Sequence, residues 1–364
     1  MSIFNGDVVT EVRGRMGLIT LNRPRALNAL SLGMVRDLTV ALQAWAQDPA
    51  VLAVAIRGSN KEGVFGAFCA GGDIRFLHQA GTTADPDLEA FFTEEYALNH
   101  LIHAYPKPYI AFMDGIVMGG GMGISQGGSV RIVTERTKMA MPETNIGLFP
   151  DVGGGYFLSR CPGRVGEWLA LTGDVIGAAD ALAYGLADHY LPAERQAGLW
   201  ETLATGEWAT TEALQAFLQT QWVQSPAAEQ AHRAAVDQHF ALADASAIVA
   251  SLEASEDEWA RHTAATLRKR SPLMLHVVLE QIRRARSLDL AQDLRMERDM
   301  VHRRFHLHPG QSETVEGIRA LAVDKDHQPR WNPSRVEDVP AALVAQFFSS
   351  PWSAPEHPLR ELKG

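Results

Sequence analysis

At 364 residues, with 46% apolar and 21% charged residues, the chain has a globular balance and room for one large domain or a core plus a second unit. Its net charge of −10 excludes a general polyanion binder such as a nucleic-acid protein, and any anionic ligand needs local positive groups. Two cysteines, Cys69 and Cys161, are too few for a disulfide scaffold or a thiolate metal cluster.

Residues 1–18, MSIFNGDVVTEVRGRMGL, carry Asp7 and Glu11 and lack an apolar run, so neither a secretory signal nor a transit peptide is expected. A cytoplasmic protein is the expectation. Asp7 to Val12 and Gly17 to Leu21, on either side of Arg13-Gly14-Arg15, predict a hairpin. Ser31 then caps a helix whose apolar face is Leu32, Val35, Leu38, Leu42 and Trp45. VLAVAI (51–56) predicts a strand covered on both faces. A loop from Gly58 to Gly72 follows, then a helix from Pro86 to Ala104 with Leu88, Phe91, Phe92, Tyr96 and Leu101 as its core face. Tyr109 to Val117 reads as one strand, followed by a helix starting inside a glycine cluster, and Val130 to Thr134 as another strand. The stretch 109–125 is apolar, but Asp114 and several glycines make it too polar to span a bilayer, so no membrane association is expected.

This order of strands and helices predicts an α/β layered core. From about Leu199 glycine thins and Ala, Glu, Gln and Arg dominate; Leu273 to Arg286 has helical spacing. The expected division is a core over 1–198 and a mostly helical region over 199–364 that packs on it.

Chemistry concentrates in MPETNIGLFPDVGGGYFLSR (141–160). Glu143 and Asp151 each follow a proline, and Asp151 precedes Gly153, Gly154 and Gly155, so both acids sit on constrained backbone rather than on a solvated helix face. Two glycine-rich turns, Ala70-Gly71-Gly72-Asp73 and Gly119-Gly120-Gly121, expose main-chain N–H groups of the kind that bind anions or developing oxyanions. Each also has an ordinary reading, as a capped turn or as close strand–helix packing. The second cluster does not match GxGxxG and the chain has no GxxxxGK[ST], which weakens dinucleotide and P-loop readings. Gly123-Ile124-Ser125-Gln126-Gly127 matches GxSxG, but the glycine cluster starts four residues before this motif, so Ser125 falls inside the expected helix rather than on a sharp turn. His302, His306 and His308 have partial metal-ligand spacing, yet Arg303 and Arg304 lie between the first two, so a polar helix end is expected and no metal is assigned.

Five ordered segments carry a resemblance: LITLNRPRALNALS (18–31), GAFCAGGDI (66–74), YIAFMDGIVMGGGMGIS (109–125), MPETNIGLFPDVGGG (141–155) and LTGDVIGAADALAYGLAD (171–188). Together they resemble the crotonase superfamily, the enoyl-CoA hydratase/isomerase family. One of the two glutamates of hydratases matches Glu143; the position of the other is Gly123, and Asp151 stands where many hydratases have glycine. That combination, with VEGIRALAVDKDHQPRW (315–331), is similar to the 3-hydroxyisobutyryl-CoA hydrolase branch. The resemblance implies a spiral of ββα units with two roughly perpendicular sheets, followed by a mostly helical C-terminal part. It implies an acyl-CoA substrate whose carbonyl oxygen lies between the N–H groups of Gly72 and Gly120. Glu143 would be general base or nucleophile, and Asp151 would position or deprotonate the water or assist thiolate departure. Coenzyme A would meet Arg25, Ala26, Ala70, Gly71 and Asp73. No separate cofactor is implied, since coenzyme A is part of the substrate, and a homo-oligomer (a trimer or its multiple, or a dimer) is expected. Hydration or isomerisation of an enoyl-CoA, and a non-catalytic CoA-ester binder, stay open as alternatives.

Overall fold

The computed structural model describes residues 6–228, 230–307, 310 and 312–364. β1 (Val8–Arg13) and β2 (Met16–Leu21) form the expected antiparallel hairpin, with Gly14 at φ 56° in its turn. Ser31 caps α1 (Leu32–Gln47) by accepting from the Met34 N–H, and the helix buries Val35, Leu38, Leu42 and Trp45. β3 (Ala53–Gly58) leads through the glycine loop to α2 (Ile74–Thr83) and α3 (Asp87–His103).

The run read as a single strand over 109–117 is two, β4 (Tyr109–Met113) and β5 (Ile116–Met118). The chain bends at Asp114 and Gly115. Buried Asp114 accepts from the Thr134 hydroxyl at 2.7 Å, from the Gly66 N–H at 2.6 Å and from the Arg136 guanidinium. Gly115 has φ 72°, and a Cβ there would lie 2.2 Å from the Gly66 carbonyl oxygen, so only glycine fits.

α4 (Gly120–Gln126), β6 (Val130–Val133) and β7 (Lys138–Ala140) follow, then α5 (Gly154–Ser159), α6 (Val165–Thr172), α7 (Ala178–Ala183) and β8 (His189–Tyr190). The remainder is helical: α8 (Ala193–Thr205), α9 (Thr211–Gln219), α10 (Arg233–Phe240), α11 (Ala245–Glu253), α12 (Glu258–Leu267), α13 (Pro272–Ala285), α14 (Leu290–His306), α15 (Glu313–Ile318) and α16 (Ala341–Phe347).

The chain gathers into two compact units that interleave along the sequence; residue 198 lies inside α8. The first holds residues 1–72, 98–140 and 175–229. Its six-stranded sheet has the order β1-β2-β3-β4-β6-β8, parallel apart from the first pair, and β5 pairs with β7 in a second, two-stranded sheet. Alternate residues Met16 and Leu18, Ala53 and Ala55, Ile110 and Phe112, with Ile132, put one face of the large sheet into a core completed by Leu199, Trp200 and Leu203 of α8 and Leu214 and Leu218 of α9. Gly17 serves close approach, because a Cβ there would meet the Trp45 ring at 2.5 Å.

The second unit holds residues 73–97, 141–174 and 230–364. α13, started by Ser271 at its cap and Pro272 in its first turn, is buried along most of its length through Leu273, Met274, Val277, Val278, Ile282 and Ala285. α14 begins with a capping box of Asp289 and Gln292. It buries Leu294, Met300 and Val301, but also Asp293, Glu297, Arg298 and Arg304, an unusual polar load for a core-facing stripe. Among the described residues no helix is long and apolar enough to cross a membrane.

Candidate active site

In the first unit the segment carrying Gly72 is held by the NRPRALNAL stretch. Asn28, fully buried at φ 57°, points its side-chain amide at the carbonyl oxygens of Ser59, Ala67 and Phe68 at 2.8–3.1 Å. The Leu30 N–H donates to the Gly71 carbonyl at 2.8 Å and the Ala70 N–H to the Leu27 carbonyl at 3.0 Å, and Leu30 and Gly72 form a parallel bridge. Arg25 is exposed in the short helical turn Pro24–Ala26 just before Leu27. Arg25, Ala26, Ala70 and Gly71 therefore fall on two segments tied together by main-chain bonds. Sequence reading missed the part played by Asn28; its signal was a lone polar residue amid the apolar stretch Ala26–Leu30.

The second glycine cluster meets this loop. Gly119 has φ 48° and ψ −121°, a conformation closed to other residues, and it starts α4. A Cβ on Gly121 would lie 2.3 Å from the Cys69 carbonyl oxygen, so the helix can approach only without a side chain there. A Cβ on Gly71 would be 3.8 Å from the Gly120 nitrogen, which brings the two glycine turns side by side. Gly120 is the first residue of α4, and its N–H has no acceptor within the helix. Asp73 accepts from the N–H groups of Arg75 and Phe76 and caps α2.

In the second unit Glu143 opens a short 3-10 turn and Asp151 stands between Pro150 and Val152; they are 7% and 6% exposed. Burial drives the Glu143 carboxyl well above the usual carboxylate range, and repulsion from Asp151 adds to it. Asp151 is pushed up to about 6 by burial, opposed by the hydrogen bond that the Tyr96 hydroxyl donates to its Oδ2 at 2.8 Å. Burial and Asp151 likewise hold Tyr96 protonated, as a donor. Glu95, 2% exposed, is also pushed well up by burial and by Asp151. Glu143 Oε2 and Glu95 Oε1 have no hydrogen-bond partner among the described residues. Three desolvated acids thus compete for ionisation, and the one with a hydroxyl donor, Asp151, ionises first.

Glu95 escaped the sequence reading although its signal was present. It lies four residues after Phe91 on the apolar stripe of α3, where a charge has no reason to be unless it is used. Glu297, Asp293 and Gln281, which surround the Asp151 turn, lie more than a hundred residues away and left no local signal.

Ser125 of GxSxG is buried in α4, and its hydroxyl donates back to the Gly121 carbonyl at 2.8 Å, a helix-internal bond rather than a nucleophile's setting. Glu89 faces His302 Nδ1 at 3.2 Å and His306 Nε2 at 2.7 Å and is ion-paired with Arg298; burial pushes Glu89 up, but His302 and Arg298 together outweigh it and hold Glu89 down at about 2. His308 lies outside the described residues.

A family model described as enoyl-CoA hydratase/isomerase matches residues 16–348. The chain is 38% identical over 355 residues to the mitochondrial 3-hydroxyisobutyryl-CoA hydrolase of Xenopus tropicalis, covering 96% of this chain and 90% of the relative. It is 39% identical to that of Danio rerio, covering 94% and 90%, and 36% identical to that of Homo sapiens, covering 94% and 89%. Among solved structures, one named as an enoyl-CoA hydratase from Rhodobacter sphaeroides 2.4.1 matches with a TM-score of 0.86 at 37% identity, over 95% of this chain and 98% of that one. Another, named as a carnitinyl-CoA dehydratase from Mycobacterium thermoresistibile, gives 0.87 at 37%, over 99% and 100%. The fold is thus the expected crotonase type, a mainly parallel sheet with a helical C-terminal part. The expected cytoplasmic location is overturned, because these curated relatives are mitochondrial enzymes; the composition of residues 1–18, on which that expectation rested, does not settle the compartment. The chain belongs to the enoyl-CoA hydratase/isomerase family.

Proposed function

We propose that the chain hydrolyses a short-chain hydroxyacyl-CoA thioester, 3-hydroxyisobutyryl-CoA, to 3-hydroxyisobutyrate and coenzyme A, the reaction of valine breakdown. The reading rests on one observation above the rest: Asp151 and Glu143 form a buried acid pair with divided titration, while the residue at 123, where a hydratase has its second glutamate, is a glycine buried in α4. The names of the curated relatives point the same way.

The N–H groups of Gly72 and Gly120 take the thioester carbonyl oxygen, which becomes anionic as the carbon turns tetrahedral; one such donor is worth about 10²–10³ in rate. Asp151, the acid that ionises first, removes a proton from the attacking water. Glu143 holds its proton until the C–S bond breaks and delivers it to the departing sulfur. The products are the free hydroxy acid and the coenzyme A thiol, and proton exchange between the two carboxyls restores the starting state. Arg25, Ala26, Ala70, Gly71 and Asp73 are assigned to coenzyme A, which enters as part of the substrate. Assembly into a homo-oligomer is proposed from the family and is read by light scattering.

The test is thiol release across a panel of acyl-CoA esters. Release from 3-hydroxyisobutyryl-CoA at a kcat/KM well above that for unsubstituted esters is expected. Hydration of an enoyl-CoA without thiol release would overturn the reading in favour of the hydratase alternative.

A further inference from the structure

We propose that Glu297, together with Gln281, is the positioning residue for Asp151: the two side chains clamp the backbone turn from which that acid is presented. The inference rests on the role given to Asp151 above.

The turn over 150–155 does not hold its own shape. Val152, a β-branched residue, sits at φ 58°, and Gly153 follows at φ 86°. Left-handed backbone at valine is costly and persists only where the surroundings impose it. Gly153, the cap of α5, has no side chain with which to satisfy the first N–H groups of that helix. The imposing groups come from far along the chain. Glu297 accepts from the Gly153 N–H at Oε2 (2.8 Å) and from the Gly155 N–H at Oε1 (2.9 Å). On the other side of Asp151, Gln281 Nε2 donates to the Pro150 carbonyl at 2.6 Å and also to Glu297 Oε1 at 3.1 Å. Main-chain groups before and after Asp151 are therefore fixed by one linked pair of side chains, both 0% exposed.

A neutral cap would satisfy one N–H at far less desolvation cost than a buried carboxylate. Two N–H groups in a fixed fork, with a glutamine linking the fork to Pro150, define a position instead. The neighbouring turn of α14 reinforces it, since Asp293 Oδ2 accepts from the Tyr156 N–H at 2.8 Å. Burial and repulsion from Asp293 push Glu297 up, and the two N–H donors pull against them.

The experiment is a double-mutant cycle on thiol release from 3-hydroxyisobutyryl-CoA by the full chain. Glu297→Gln keeps the shape but turns one acceptor oxygen into an amide nitrogen. With the far-UV spectrum unchanged, kcat should fall about 10–100-fold and KM stay within about threefold, the signature of a displaced reacting group. On an Asp151→Asn background the same change should add less than about twofold, because its effect runs through Asp151. Persistence of the full factor on that background, or unchanged kcat in folded Glu297→Gln, would overturn the proposal. Wild-type turnover by Asp151→Asn alone would instead remove the role of Asp151, a separately readable result. If Glu297→Gln does not fold, Gln281→Met, which removes the donor to Pro150, goes through the same cycle with the same expected pattern.

Discussion

The hydroxyl of Tyr96 donates to Asp151 Oδ2 at 2.8 Å, and both groups are buried. This bond favours the ionised carboxylate, so its removal raises the pKa of Asp151 above about 6. A hydrogen bond to a charged group contributes roughly 1.5–3 kcal/mol, which corresponds to about one to two pH units. Tyr96→Phe should therefore move the acid limb of kcat/KM upward by about that amount and leave the high-pH plateau nearly intact. A limb in its original place would show that another group governs it.

Glu143 and Ser125 offer opposite expectations. Glu143→Gln keeps the volume but removes the transferable proton, and turnover should drop by about 10²–10⁴. Ser125→Ala removes a hydroxyl that bonds only within its own helix, so turnover should stay within about twofold and any change should be confined to the melting temperature. Thiol release from one substrate at saturation, for both variants side by side, decides it; the reverse ranking would favour the serine.

Stability should fall as pH rises through the mildly acidic range. The folded pKa values of Asp151 and Asp293 are raised from 3.8 to about 6, and those of Glu95, Glu143 and Glu297 are also raised. Between 3.8 and about 6 the native state then holds protons that the unfolded chain has released, so the slope of unfolding free energy with pH is negative. Their contribution is fully present below the unfolded values and is lost as pH climbs through the folded ones. Glu89 has the opposite sign: its pKa is lowered to about 2, so its contribution holds above 4.5 and disappears only as pH falls towards 2. Thermal melts from pH 4 to 8 should show a declining midpoint, and Asp151→Asn should flatten that decline and melt higher than the parent at pH 8. A midpoint that rises over this range would refute the assignment.

Two glycine-to-alanine changes should move stability in opposite directions. A methyl group at Gly121 would sit 2.3 Å from the Cys69 carbonyl oxygen, a backbone atom that cannot turn aside, and the displacement of α4 should cost about 1–3 kcal/mol. Gly198 lies within α8 with nothing within 4 Å of its added Cβ, so alanine there should stabilise by about 0.5–1 kcal/mol. Urea melts of both variants measure the two signs.

What could be read from the sequence was local. The α1 stripe and its Ser31 cap, the hairpin and the glycine start of α4 follow from spacing and caps within a few residues. The break at Asp114 was hidden, because it depends on Thr134 and Arg136, which no pattern around 114 reveals. Glu143 and Asp151 could be found since proline and glycine mark their turns. Tyr96 was taken as core, which its body is; that its hydroxyl serves an acid 55 positions away is a fact of the fold. Gln281 and Glu297 were out of reach for the same reason, with 131 and 144 positions separating them from the backbone they hold.

The sheet core completed by α8 and α9 has a consequence for synthesis on the ribosome. A nascent chain that has emerged only as far as residue 198 has all six strands of the large sheet, but lacks Leu199, Trp200, Leu203, Leu214 and Leu218, which cover its Met16–Phe112 face. Until some twenty further residues appear, that face is a sticky apolar surface, the usual invitation to chaperones or to aggregation. Expression fragments that stop short of α9 should accumulate in inclusion bodies for this reason.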